Sequence, residues 1–397
     1  MGLVICFTAP HSYTGEDVVE FQCHGGPAVV SELFTEICRL GARPAGRGEF
    51  TERAYLNGRM DLCQAEAVAA LIDAESQVGR RAAMKSLDGE FGKRIFSLAE
   101  ALLNIRSQLE AELDFPEEED IERVEHDHLF RSIDEAHTEV TNLLEQARSG
   151  LKLRSGYQVI LIGKPNVGKS MLMNRLVGNE ASIVTDIPGT TRDLVRDRML
   201  FGSQLFDLVD TAGMRNGDKV NAIEYEGVRR AQKEIDKSDI ALLVIDSKKG
   251  IECDDRELIS SLNNQKAIVV LNKIDLLTDS TSDKNAIAEQ IKVGSDFVAL
   301  ISATTGEGLD ELRHLIASVA CDTNVEDAFS AEQRHIDILE KCNAKIAFAH
   351  EAMSNDAGVE VVAEMLRQAH TLLGEITGEG TSEEVLDNIF GKFCIGK

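Results

Sequence analysis

A chain of 397 residues, 43% apolar and 28% charged, has room for two or three domains, each with its own core. Its 68 acidic against 42 basic residues leave a net charge of −26, which excludes a broad basic nucleic-acid grip, so any RNA contact is expected to be local or shared with a partner. No apolar run reaches about 18 residues, the start MGLVICFTAP has no basic n-region, and eight cysteines without a CxxC pair read as reduced thiols; no membrane span and a cytoplasmic setting are expected.

In chain order, residues 1–58 mix short runs such as Asp17-Val18-Val19-Glu20-Phe21 with Gly and Pro punctuation, which predicts strands and turns. From Leu62 the period changes. Ile95, Leu98, Leu102, Ile105, Leu109 and Leu113 recur every three or four residues, and Phe130, Ile133, Val140 and Leu144 follow at steps of three, seven and four, so each set marks one helix face. The acidic run from Asp114 to Asp120 reads as a solvated loop between them. Roughly 156–320 alternates short apolar strands, at 157–162, 205–209, 240–245 and 267–271, with helical segments. That pattern predicts a mostly parallel sheet with helices on both faces. After about 321 helical spacing returns at Ile336, Leu339, Ile346 and Met353, then at Val362, Met365, Leu366, Ala369 and Leu373. The simplest assembly is an α/β domain (156–320) inserted into an all-α domain whose parts, 59–155 and 321–397, share a core, with 1–58 as a partial α+β domain in front.

Four ordered motifs give the α/β domain its chemistry. Gly163-Lys164-Pro165-Asn166-Val167-Gly168-Lys169-Ser170 follows a strand and opens a helix. Backbone N–H groups of such a loop converge on phosphate oxygens, helped by the helix dipole. Lys169 reaches the β- and γ-phosphates and the Ser170 hydroxyl suits Mg²⁺, with Asn166, Val167, Gly168 and Met171 completing the cradle. Asp210-Thr211-Ala212-Gly213 ends the next apolar strand; Asp210 is expected to hold Mg²⁺ through water and Gly213 to offer its N–H to the γ-phosphate. Between these lies Thr185-Asp186-Ile187-Pro188-Gly189-Thr190-Thr191, where a threonine hydroxyl, assigned to Thr191, completes the Mg²⁺ shell and orders its loop with the triphosphate. Asn272-Lys273-Ile274-Asp275 sets base choice. A carboxylate at Asp275 accepts both N–H donors of guanine's Watson–Crick edge, a pair adenine lacks, so GTP and GDP are expected over ATP. Ser302-Ala303-Thr304 is expected to give a backbone N–H to the guanine carbonyl. Met214 stands where Ras-like switches carry a water-orienting Gln, so another group must supply part of an acceleration worth about 10⁵-fold in systems with an arginine finger.

Together with Met214, the segments YTGEDVVEFQCHGG (13–26), RGEFTERAYLNGRMDLCQAEAV (47–68), DFPEE (114–118) and GKFCIGK (391–397) resemble the MnmE (TrmE) family of tRNA-modification GTPases over nearly the whole chain. The resemblance implies a K⁺ ion beside the phosphates, bound by Asn166 and by oxygens of Thr185, Ile187 and Thr190, and G domains that dimerise across their nucleotides. It also implies a water-orienting glutamate, Glu224 with Glu226 as the alternative, and a part for Cys394 in the modification chemistry. A homodimer, the flavin- and NADH-dependent partner MnmG (GidA), tRNA bound through the complex, and a product carrying an aminomethyl-type group at C5 of the wobble uridine are implied likewise. The N-terminal region resembles the family's folate domain, whose contacts to a 5-formyltetrahydrofolate-type ligand map onto Glu20, Arg59 and Lys397. The family's domain begins well upstream of Met1, so a sheet with missing first strands and unpaired edges is expected here. Two alternatives accompany this reading: a truncated member that hydrolyses GTP without modifying tRNA, and a ribosome-assembly switch of the Era or Der type. The latter would need a GxxG loop that 321–397 lacks.

Overall fold

In this computed structural model the described residues are 2–114, 126–178, 196–210, 235–260, 262, 266–277, 284–291, 294–320, 327–355 and 358–396. The chain divides into two units, one of residues 1–74, 80–150 and 328–397, the other of 75–79 and 151–327.

The second unit is built on apolar runs too continuous to face water. Strands β3 (Tyr157–Ile162), β5 (Gln204–Asp210), β6 (Ile240–Asp246), β7 (Lys266–Asn272) and β8 (Val298–Leu300) run parallel, and β4 (Arg196–Phe201) joins β5 antiparallel, in the order β4-β5-β3-β6-β7-β8. Every residue of β6 is buried, as a central strand covered on both faces requires. Helices α7 (Lys169–Val177), α8 (Cys253–Ser260), α9 (Lys284–Ile291) and α10 (Leu309–Ala320) connect or follow the strands.

The first unit contains α1 (Pro27–Arg39), α2 (Glu49–Leu56), α3 (Leu62–Ile72), most of α4 (Gln77–Leu87), α5 (Glu90–Asp114) and most of α6 (His126–Ser155). After the α/β unit come α11 (Gln333–Ser354), α12 (Val359–Thr377) and α13 (Glu383–Phe390). Helix α12 packs on both α5 and α11, so the helical parts before and after the insertion form one core. The stripes meet there: Leu98, Leu102, Ile105, Leu109, Ile133, Val140, Leu339, Ile346, Leu366 and Leu373 are all buried. Leu144 is buried as well, whereas Phe130 is only half-buried and Leu129 takes the inner place beside Ile133, with Leu143 buried next to Leu144.

A charged knot lies inside this core. Arg334 donates Nε and Nη2 to the Glu66 carboxylate at 2.7 and 2.5 Å, and His335 Nε2 lies 2.8 Å from Glu66 Oε2. Burial alone would raise the Glu66 carboxyl; His335 and Arg334 outweigh it and hold it at about 2. Such a pair costs desolvation to form but is expensive to break, and it joins α3 to the start of α11.

Residues 1–58 form the partial α+β arrangement expected, with more helix than their strand-and-turn pattern suggested. Only β1 (Leu3–Phe7) and β2 (Val18–Gln22) are strands, paired antiparallel; α1 and α2 are helices. Val29 and Val30 favour strand locally, but Pro27 at the helix start and Leu33, Phe34 and Ile37 at helical spacing prevail. Among the described residues no helix is long and apolar enough to cross a membrane, and Cys6, Cys23, Cys38, Cys63, Cys342 and Cys394 are free thiols.

Candidate functional site

Parallel strands expose their C-terminal ends along one edge of a sheet, and the loops that leave them share that edge. Here β3 ends into Gly163–Gly168, β5 ends at Asp210, β6 at Asp246 and β7 at Asn272, while Ser302 follows β8 closely. The described motif residues, 163–170, Asp210, 272–275 and 302–304, are thereby collected on one edge.

The loop after β3 turns into α7 through Gly168, whose φ is +102°. A Cβ there would lie 2.3 Å from Asn272 Nδ2, so only glycine lets the two loops approach. Lys169 is buried and donates Nζ to the carbonyls of Gly163 and Lys164, both at 2.9 Å. Asn166 sits at φ +64°, and its carbonyl accepts Lys273 Nζ at 2.8 Å. The same ammonium reaches Asp246 Oδ2 at 2.7 Å. Burial raises the Asp246 carboxyl, but Lys273 and the Lys248 amide outweigh it and keep it below the ordinary carboxylate range.

Ser170 Oγ donates to Asp210 Oδ2 at 2.7 Å, which joins the two residues assigned to Mg²⁺. Two oxygen donors, one of them a buried carboxylate, fit a hard divalent cation. On the base side Asp275 Oδ1 accepts from Ser302 Oγ at 2.6 Å, so a fully buried hydroxyl orients an exposed carboxylate. Thr304 is tied down by Arg175 Nη2, which donates to its carbonyl at 2.8 Å, and Met171 Sδ lies 3.7 Å from Thr304 Oγ1.

Asn272 is a clamp between loops. Its Nδ2 donates to Val167 O at 2.8 Å, and its Oδ1 accepts from the Lys273 and Ala303 amides at 2.8 and 2.9 Å. Within the Ser302–Thr304 stretch expected to offer an N–H to the base, the Ala303 amide is thus engaged by Asn272 here. Asp246 and Arg175 were missed by sequence reading; a carboxylate closing an apolar strand at the sheet's C-terminal edge was the available signal for Asp246. Thr185, Asp186, Ile187, Pro188, Gly189, Thr190, Thr191, Thr211, Ala212, Gly213, Met214, Glu224, Glu226 and Lys397 lie outside the described residues.

In the first unit, Glu20 and Arg59 line one open cleft of about 470 Å³, with His11 and Tyr13. Tyr13 Oη is held 2.9 Å from Thr51 Oγ1. Cys394 is exposed in this unit, whereas Lys169 belongs to the other.

A doubly covered parallel sheet with a phosphate loop after its first strand, inserted into a helical unit, defines a P-loop GTPase-type protein. A family model described as the MnmE helical domain matches residues 62–394, and one described as the GTP-binding protein TrmE N-terminus matches 1–59. The tRNA modification GTPase MnmE of Halorhodospira halophila is 43% identical over 397 residues, 100% of this chain and 84% of that protein. That of Laribacter hongkongensis is 41% identical over 398 residues, 100% of this chain and 86% of that protein. Among solved structures, an Aquifex aeolicus Era variant bound to GDP.AlF4- shares 26% identity over 47% of this chain and 66% of that one, with a TM-score of 0.35. The chain belongs to the MnmE tRNA modification GTPase family.

Proposed function

We propose that this member of the family is a GTP hydrolase acting in tRNA modification. The observation that carries the reading is the convergence, on one sheet edge, of a phosphate cradle, the Ser170–Asp210 oxygen pair and the Asp275–Ser302 pair. Lys169, whose Nζ donates to the Gly163 and Lys164 carbonyls in this structure, can exchange them for β- and γ-phosphate oxygens. Asp275, oriented by Ser302, accepts the two guanine donors that adenine lacks. Asn272 and Lys273 fix the two loops against each other, so the base-reading carboxylate and the phosphate cradle stay at a set separation.

Ser170 and Thr191, with Asp210 through water, would hold Mg²⁺, which neutralises phosphate charge when bound. Asn166, with Thr185, Ile187 and Thr190, would hold K⁺, which offsets charge developing on the transferred phosphoryl group where an arginine finger is otherwise needed. Glu224 is the proposed water-orienting residue, with Glu226 the second choice. Homodimerisation of the G domains would order the loop 185–191. The modification step would use MnmG (GidA), the flavin- and NADH-dependent partner, with tRNA bound through the complex and an aminomethyl-type group added at C5 of the wobble uridine. Glu20, Arg59 and Lys397 would hold the folate one-carbon donor; that Glu20 and Arg59 share one cleft supports this, because a carboxylate and a guanidinium there offer both an acceptor and donors. The C-terminal tail with Cys394 would serve the same modification chemistry. A cytoplasmic location fits these substrates.

Calorimetric titration with GTP, GDP and ATP tests the core of the proposal. Guanine nucleotides are expected to bind over ATP by roughly 10⁴-fold. Equal binding of GTP and ATP would sink the assignment of Asp275 and with it the GTPase reading.

A further inference from the structure

Glu49, at the head of α2, gathers loop 43–49 around itself. Its carboxylate accepts from Arg43 Nη1 and Nη2 at 2.8 and 2.5 Å, from the Gly46 N–H at 2.7 Å and from Arg53 Nη2 at 2.6 Å. The Arg43 guanidinium, then the Gly46 amide and Arg53, hold the carboxyl down at about 2, so the knot stays ionised near neutrality.

The corner fixed in this way meets the C-terminal segment. Arg47 forms an antiparallel bridge with Ile395, and the Gly48 N–H donates to Cys394 O at 3.5 Å. Arg47 Nη1 also donates to Gly391 O at 3.4 Å. Phe390 and Phe393 anchor the approach to the tail in a cluster with Leu62 and Ala65, and Ile389 packs in the same cluster. Gly48 is at φ +65°, and a Cβ on it would meet Phe390 O at 2.9 Å and Phe393 Cβ at 3.1 Å. A side chain there would push away both the carbonyl and the aromatic anchor that bring the tail in.

We infer that loop 43–49 is the seat of the C-terminal tail, with Gly48 and Glu49 acting as positioning residues for the modification step and not for GTP hydrolysis. The inference rests on the proposal that the tail takes part in that step. A short tail has no core of its own, so its direction is set by what it lies against. Gly48 and Glu49 decide that direction by different means: one by leaving space, the other by fixing the loop that donates the bridge.

Cys394 provides a reporter thiol in the whole chain, with the exposed Cys6 and Cys23 of the same unit as internal references. Iodoacetamide alkylation of each is followed by peptide mass spectrometry. In Gly48→Ala the Cys394 rate is expected to change by about threefold or more while the references hold, because access governs thiol reactivity. In an assay with the flavin-dependent partner, tRNA modification is expected to fall roughly tenfold or more, with GTP hydrolysis held within about twofold. Glu49→Gln, which leaves the space at Gly48 intact, moves both readouts in the same direction by less, and Glu49→Asp recovers part of the modification activity. Unchanged alkylation and modification in both Gly48→Ala and Glu49→Gln overturn the seat. Deletion of residues 394–397 separates the two claims. Undiminished modification after deletion overturns the assignment of the tail, whereas loss on deletion with full modification in Gly48→Ala overturns the seat alone.

Discussion

The two sheets of this protein solve opposite problems. In the α/β unit β6 is buried along its whole length, and the loops at the sheet's C-terminal edge inherit a frame with little freedom. The β1–β2 ribbon has no such cover among the described residues: Val4 is 60% and Phe21 46% exposed, and both lie on the side opposite Glu20. Two strands alone are marginally stable in water, so this ribbon depends on what packs against it. The contrast shows where sequence motifs translate directly into chemistry: where a sheet buried on both faces fixes the loops. The cleft shared by Glu20 and Arg59 is set instead by a half-covered ribbon and by the loop after α2.

The largest loss of activity is expected at the site framed by the α/β sheet. Lys169→Ala should lower GTP hydrolysis by roughly 10²- to 10³-fold, measured as phosphate release, with thermal stability nearly unchanged. A comparable loss of stability would mean that the buried lysine serves packing.

An effect of comparable size falls on the helical core. Glu66→Ala leaves Arg334 and His335 without their carboxylate and should cost about 3–5 kcal/mol in urea unfolding. The wild type carries a matching pH signature. The folded-state value of Glu66, about 2, lies below its ordinary 4.5, so its contribution is fully present above about 4.5 and is lost as pH falls through about 2. Stability that is flat across that window would remove the charged knot from the account.

Smaller still is the monovalent-ion effect. Hydrolysis should run roughly tenfold faster in KCl than in NaCl, and Asn166→Ala should erase the difference while leaving guanine selectivity intact. Equal rates in the two salts would end the K⁺ assignment. The least change is expected on the ribbon's outer face, where Val19→Thr should shift stability by no more than about 0.5 kcal/mol. A shift several times larger would show that this face is covered in solution.

Much of the architecture was legible because it is written in local periods. The stripe from Ile95 to Leu109 is one face of α5, and the runs at 157–162 and 240–245 became β3 and β6. Reading failed where local preference and tertiary context disagree. Residues 1–58 suggested strands and turns, yet 27–39 form α1. Phe130 looked like a core residue from its spacing, but Leu129 is the one turned inward. Asn272 was assigned to base recognition by its motif; nothing local could say that its amide would join Val167 to Ala303.

The amino-acid order by itself determined the loops proposed to meet phosphate and guanine, since each is a short contiguous segment whose backbone needs only a few specific residues. It also determined the helix faces, because apolar spacing follows the pitch of the backbone. Tertiary structure alone decided which carbonyl each clamp holds, that Glu66 is shared by Arg334 and His335, and that Gly48 lies under the C-terminal tail. Those contacts join residues far apart in the chain, and their partners are chosen by how strands and helices pack, a relation that no local pattern encodes.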